Sequence, residues 1–434
     1  MHVMTKVGVG AVGAVTLSLG LIAPAAYADS APGPGDVVGV GSDTVQYALD
    51  FMADGDPSGN TGYNQLGNIN RIFNFDATAD ANARLAYGNG GAAGACAPGT
   101  GTGQGTGTQT TTNTSTPCVQ NSTIVLRAGT LPVRRPNGSG DGTTAIKGST
   151  KVNYTRASSA QGAALGATFD SVQLGTDRLA MLTASTTNAP ALSAAQLKLI
   201  YLCTATHWND ASLQPAAGAS ADTIIPVLPQ NGSGTRKSFL ADIGVTEAQI
   251  AANGGCTKVG EENDPTIPSQ FATPQDVITP MSNPRLLMWQ GKDSTGAANG
   301  FGGYFHDPSC KFGDTTTNPA ACAPSAQVLS PAVTEVLTGT PTDGGALYKD
   351  DRALYVYFRD ADINSVKAFQ PGSPLNWVRT LFYDPCAPNP IATCTGPGNI
   401  YGPAGAPYIA SGPGQIEIQQ AGITPAYVFT PSGP

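Results

Sequence analysis

Ile224-Ile225-Pro226-Val227-Leu228-Pro229-Gln230-Asn231-Gly232-Ser233-Gly234-Thr235-Arg236-Lys237-Ser238-Phe239 is the stretch on which the reading of this chain turns. Ile224 to Leu228 is an apolar, β-branched run of the kind that forms a buried strand. Gly232 to Gly234 then breaks it, and Phe239, Leu240 and Ile243 fall on one face of a helix that Gly244 ends. A chain that leaves a strand through a Gly/Ser/Thr turn and enters a helix presents the helix's first amide N–H groups without intrahelical partners. Those amides carry the positive end of the helix dipole, so such a corner favours an anion.

The same design occurs twice more. Val37-Val38-Gly39-Val40 reads as a strand, Gly41-Ser42-Asp43-Thr44 as the turn, and Val45, Leu49 and Met52 (i, i+4, i+7) as a buried helix face. Ile124-Val125-Leu126 reads as a strand that leads to Gly138-Ser139-Gly140-Asp141-Gly142 and a helix from Thr143 to Lys147. Lys151 to Tyr154 is a further predicted strand, ending in Thr155-Arg156-Ala157-Ser158-Ser159, and Leu179 to Leu182 another. Ser193 and Gln196 spell a capping box ahead of Leu197, Ile200 and Tyr201. Leu354 to Phe358 is a late strand, and the last 40 or so residues, rich in Gly and Pro, predict no element. Strands alternating with helices define an α/β protein, and ligands of open α/β sheets collect at strand ends where such turns meet.

Each turn taken singly is an ordinary N-cap, and Asp43 an ordinary first-turn acid complementing the helix dipole. Arg156 and Arg236 taken singly are surface ion-pair partners. Three glycine-and-hydroxyl corners in one chain, with a guanidinium in reach, describe a cage for a small oxyanion.

Composition narrows the partners. Of 434 residues only 12% are charged and the net charge is −8, so nucleic acid and anionic membrane are repelled rather than attracted. Residues 1–28 read as an export signal: Lys6, an apolar stretch from Val7 to about Ile22, then Ala26-Tyr27-Ala28. No Cys stands directly after it, so the expected product is secreted, without a lipid anchor or a membrane span. About 400 remaining residues exceed what one core fills, which predicts two lobes. All eight Cys lie in this part, and an even count in an exported chain argues for disulfides. Pairing neighbours gives Cys96–Cys118, Cys203–Cys256, Cys310–Cys322 and Cys386–Cys394, one of 105 connectivities. Zinc is the rival reading, disfavoured because there is no CxxC and only His207 and His306 follow the signal. No metal or cofactor is expected. Residues 88–121 are low-complexity Gly/Thr, read as a tethered surface loop.

The segment 228–239 resembles the Gly-Ser-Gly-Thr loop, with its trailing Phe, of the phosphate-binding proteins of ABC importers, within the periplasmic-binding-protein superfamily (type II). Leu192-Ser193 through Trp208-Asn209 is similar to the segment that precedes that loop, Gly41 to Val45 to the N-terminal anion turn, and Gly138-Ser139-Gly140 to the second. Tyr154 to Ser159 stands where the family has an aromatic-led segment ending in hydroxyl residues. Five such segments follow family order from about 37 to 245.

The resemblance implies a two-lobed α/β fold in which each lobe is a mixed sheet flanked by helices, with the ligand cleft between. Lobe 1 would comprise 36–178 plus 350–430, and lobe 2 would comprise 179–349. The chain would cross near Arg178–Thr183 and return near 340–355. It implies a monomer that captures inorganic phosphate for uptake or scavenging, partnered by an importer's membrane subunits. The implied contacts are Ser42, Asp43, Thr44, Val45, Ser139, Gly140, Arg156, Ser158, Ser233, Gly234, Thr235 and Arg236.

Two departures bear on specificity. Where some members have an Arg before the loop, this chain has Pro229 and Gln230, which leaves Arg236 as the expected cation. Where some have an Asp that accepts the proton of hydrogen phosphate, it has Ser158 and Ser159; Asp43 or Asp141 is then expected to discriminate against fully ionised sulfate. A secreted phosphatase- or esterase-like hydrolase is the alternative, lacking a GxSxG elbow and limited to His207 or His306 as base. A binding fold repurposed as a surface protein is the third reading.

Overall fold

The computed structural model describes residues 31–77 (except 57 and 69), 123–299 (except 132), 332–363, 377–383 and 407–431. The expected signal, the 88–121 loop and the cysteine pairs 96–118, 310–322 and 386–394 lie outside these residues. So does His306.

The fold is mixed α/β. Strand β1 (Val37–Gly41), all buried, passes into helix α1 (Asp43–Asp54), and β2 (Ile72–Asn74) lies parallel beside β1. Val45, Leu49 and Met52 point into the core, as their spacing predicts. The strand expected over 124–126 is shorter: β3 (Thr123–Ile124) pairs only with β4 (Val133–Arg134) in a small hairpin. Helix α2 (Ser139–Gly148) begins four residues before its predicted start, so the turn glycines Gly140 and Gly142 are helical. Strand β5 (Tyr154–Ala157) takes in Arg156, and α3 (Gly162–Leu165) follows.

Strand β6 (Phe169–Ala184) is the spine. Apolar patterning shows only 179–182, because Asp170 and Asp177 interrupt the run; both are buried, Asp177 in an ion pair. Helix α4 (Ala194–Tyr201) carries the predicted capping box, with both reciprocal hydrogen bonds present. Strand β7 (Ile225–Pro229) enters α5 (Gly234–Asp242), capped by Ser233, and α6 (Glu247–Ala252) follows. Then come β8 (Lys258–Gly260), β9 (Val277–Ser282), α7 (Asn283–Trp289), β10 (Val333–Val336), β11 (Asp350–Arg359) and the short α8 (Asp360–Ile363). The C-terminal region, where no element was predicted, holds α9 (Gly412–Gln420) and β12 (Thr424–Thr430), the latter paired with β6.

The main sheet runs β2-β1-β5-β11-β6-β9-β7-β8. Its buried apolar residues separate into lobes about β6. Val172 and Leu174 pack with Leu49, Met52, Phe358 and Ile418 on the β1–β5–β11 side. Leu179 and Met181 pack with Leu197, Tyr201, Trp208 and Phe239 on the β9–β7–β8 side. One strand therefore serves two cores and holds the turns of both lobes toward the same gap.

Cys203 and Cys256 form the disulfide that neighbour pairing predicted, joining the end of α4 to the approach to β8 across 53 residues. Closing a loop of that length restricts the unfolded chain. Replacing both cysteines with serine is expected to lower stability by about 2–4 kcal/mol, read as a lower urea midpoint with an unchanged circular dichroism spectrum.

Candidate functional site

The three Gly/Ser/Thr corners meet. The Gly140 N–H donates to the Gly232 carbonyl at 3.0 Å, which joins the second corner directly to the third. Gly138 has φ +104°, and a side chain there would strike the Gly232 carbonyl, so only glycine permits the approach. Gly234 is equally constrained, because a Cβ would collide with the hydroxyls of Ser139 and Ser158. Ser139 Oγ accepts from Ser158 N–H at 3.0 Å and faces Ser158 Oγ at 3.4 Å.

The first corner reaches the third through a residue that the sequence reading missed. Glu262 Oε1 accepts from Thr235 Oγ1 at 2.7 Å, from Thr235 N–H at 3.3 Å and from Thr44 Oγ1 at 3.4 Å. A carboxylate oxygen thus gathers donors from both lobes at the point where the corners converge. Thr235 Oγ1 in turn accepts from Arg352 Nη2 at 2.8 Å, and Arg352 is held by Asp177 Oδ2 at 2.6 and 2.9 Å. Asp177, Arg352, Thr235 and Glu262 form one buried polar chain.

Beside it, Asn263 Nδ2 donates to Thr44 Oγ1 at 2.9 Å and Asp43 Oδ2 at 3.2 Å. Arg285 Nε lies 3.5 Å from Asp43 Oδ2, and its guanidinium stacks 4.2 Å from the Tyr47 ring centroid. Glu261 accepts from Asn137 Nδ2 at 3.0 Å and from Gln230 Nε2 at 3.3 Å. Burial pushes the Glu262 carboxyl above the usual range and the charge of Asp43 adds to this, while Thr235, Arg352 and Ser233 pull it down. Burial likewise raises Asp177 against the pull of Arg352.

Among the described residues, the buried donors Ser42 Oγ and Arg352 Nη1 at this junction have no hydrogen-bond partner. Ser42 also makes no side-chain cap, so it leaves the first amides of α1, at Asp43, Thr44 and Val45, without that acceptor. Unsatisfied buried donors are costly and call for an acceptor.

Both expected arginines have partners within the protein. Arg236 turns away from the corners: Nε and Nη2 bind Glu247 at 2.8 and 2.6 Å, and Nη1 donates to the Pro229 carbonyl at 2.9 Å. Its place at N3 of α5 puts the side chain on the flank facing α6. Arg156, fully buried, donates to the carbonyls of Gly41, Ser42 and Phe75 and to Asn74 Oδ1, and so braces the first corner as a structural cation. Ser233 Oγ is committed to the Arg236 amide, and the Gly140 amide to Gly232. Asp141 accepts from the Asn137 amide at 3.3 Å, and Asp43 faces Arg285.

The residues missed (Glu262, Asn263, Asp177, Arg285 and Arg352) carry a misleading signal. Gly260-Glu261-Glu262-Asn263-Asp264 and Lys349-Asp350-Asp351-Arg352 read as solvated charge, yet Glu261, Glu262 and Arg352 are buried.

Fold and site define a two-lobed mixed α/β protein in which hydroxyl and amide donors from both lobes converge at one junction. Residues 97–279 match the model of the PBP superfamily domain. No curated protein matches the chain by sequence. Among solved structures it is similar to a candidate phosphate ABC transporter substrate-binding protein with bound phosphate from Clostridium perfringens, at 12% identity over 90% of this chain and 99% of that one, TM-score 0.42. It is also similar to an ABC-type phosphate transport receptor from Vibrio cholerae, at 13% identity over 76% and 88%, TM-score 0.38. These likenesses are remote, and the ligands named are those proteins' own.

Asp177→Asn removes the charge opposite Arg352 within a buried site. It is expected to cost about 3–5 kcal/mol of stability, measured by urea unfolding, because Arg352 is left uncompensated.

Proposed function

We propose that the protein captures a small oxyanion, inorganic phosphate, between lobes 36–178 with 350–430 and 179–349, and carries out no chemistry on it. The observation that carries this reading is the pair of unpartnered buried donors, Ser42 Oγ and Arg352 Nη1, at a junction of hydroxyls and helix-start amides from both lobes. A tetrahedral ion there would satisfy them, with Arg352 in the role expected of Arg236. Among the described residues no base stands beside these serines: His207 Nδ1 bonds Thr206 Oγ1, and no hydrogen bond joins its ring to Ser139, Ser158 or Ser233. Export and delivery to an importer's membrane subunits complete the proposal. Among the described residues no helix is long and apolar enough to cross a membrane.

Glu262, rather than Asp43 or Asp141, is the carboxylate that sets specificity. An ionised Glu262 repels an anion, so the ion must share a proton with it. Phosphate brings such a proton, and sulfate does not. Binding should therefore be strongest while that proton is retained, and weaken as pH rises through the raised carboxyl of Glu262.

Titration calorimetry of phosphate and sulfate across pH tests this. Phosphate is expected to bind at least tenfold (about 1.4 kcal/mol) more tightly than sulfate. Ser42→Ala and Thr235→Val should each weaken phosphate at least tenfold, and Glu262→Gln should narrow the gap to sulfate and flatten the pH dependence. Absence of phosphate heat in the native chain, or unchanged affinity in both donor variants, overturns the reading.

A further inference from the structure

The segment after β8, Gly260-Glu261-Glu262-Asn263-Asp264, is rooted on one side of the cleft and reaches to the other. Its roots lie at the ends of β7 and β9. Glu262 N–H donates to Gln230 Oε1 at 2.6 Å, and Asn263 Oδ1 accepts from Ser282 N–H at 3.0 Å. Asp264 Oδ1 accepts from Thr266 N–H and Oγ1 at 2.8 and 2.6 Å, and its Oδ2 from Gln270 Nε2 at 2.9 Å. Ile267 then packs with Val227 and Val277.

Three successive side chains leave these roots for the side that carries β1 and α2. Glu261 accepts from Asn137 Nδ2 at 3.0 Å, and Glu262 accepts from Thr44 Oγ1 at 3.4 Å. Asn263 Nδ2 donates to Thr44 Oγ1 at 2.9 Å and to Asp43 Oδ2 at 3.2 Å. Asn263 has φ +56°, the left-handed conformation that asparagine adopts more readily than most residues. That kink lets neighbouring side chains turn to the same threonine. All four residues from Glu261 to Asp264 are buried.

Glu262 does more than bridge. The donors on its Oε1 are Thr235 N–H, Thr235 Oγ1 and Thr44 Oγ1, and the oxyanion reading gives Thr44 and Thr235 to the bound ion. A carboxylate is itself an oxyanion, an acceptor that takes the same hydroxyl and helix-start amide donors. We propose that the segment 261–264 is a built-in latch: without a bound ion, Glu262 takes the ion's place among the corner donors and the lobes stay together. The ion must then draw Thr44 and Thr235 away from Glu262, which is left to accept the ion's proton. Glu262 as the ion's substitute rests on the oxyanion reading, whereas the latch concerns the protein alone.

The Gly140 amide reports on the latch. It is second in α2, where an N–H has no intrahelical partner, and it donates across the cleft to the Gly232 carbonyl. It is shielded from exchange only while the two sides touch. The test is hydrogen exchange on the full chain dialysed free of phosphate, resolved to single amides by mass spectrometry with electron-transfer fragmentation. In the native chain Gly140 is expected to exchange about a hundredfold more slowly than in the unfolded chain. Glu262→Ala should speed it about tenfold while the amides of α4 keep their native rates. Thr44→Val, which removes the hydroxyl that both Glu262 and Asn263 use, should act in the same direction. Fast Gly140 exchange in the phosphate-free native chain, or native protection in both variants, overturns the proposal. Equal acceleration of Gly140 and α4 overturns it too, because the segment would then hold the fold rather than the cleft. A failure of phosphate to bind strikes the oxyanion reading alone, since none of these samples contains phosphate.

Discussion

One carboxylate oxygen, Glu262 Oε1, accepts hydrogen bonds from both lobes at once. It draws Thr44 from one lobe and Thr235 from the other, and through Thr235 it is tied to Arg352 and Asp177. A buried carboxylate is tolerated only with hydrogen bonds or opposite charge close by. That requirement explains why the residues around it are threonines, an asparagine and an arginine, and why they come from both sides of the cleft. Joining the lobes and balancing the buried charge are one event of folding.

The scaffold makes that event possible by sharing a strand. β6 feeds Val172 and Leu174 to one core and Leu179 and Met181 to the other, so the lobes have no separate linker. Both β11 and β12 shift register beside it, between Leu354 and Tyr355 and between Pro425 and Val428, opposite the stretch from Gln173 to Gly175. Such irregularities bend and twist a sheet locally. They fall at Leu174, within the residues that β6 gives to the first core. Glycines at 138 and 234 then let the corners come within hydrogen-bonding distance.

Arginine placement shows how a buried cation is chosen. Arg236 lies in the motif, but its helical position directs it to Glu247 and a backbone carbonyl. Arg352 lies far along the chain in a run of surface-like charge, and antiparallel pairing of β11 with β6 sets it against Asp177. Its Nη1, left without a partner, points the site toward an anion. The cation is selected by strand register, a property of two segments 175 residues apart.

Local chemistry was legible in the sequence wherever one segment suffices to define it. The turn-to-helix corners at 41–45 and 232–236, the capping box at Ser193, the helix face Val45-Leu49-Met52 and the Cys203–Cys256 pair all follow from spacing and residue type within short windows. Only the tertiary structure decided which charges enter the site, because burial and partner choice depend on elements distant in sequence. Glu262 and Arg352 look like solvated charge until β8 and β11 carry them inside. A charge's role is fixed by what surrounds it, and those surroundings exist only once the chain has folded.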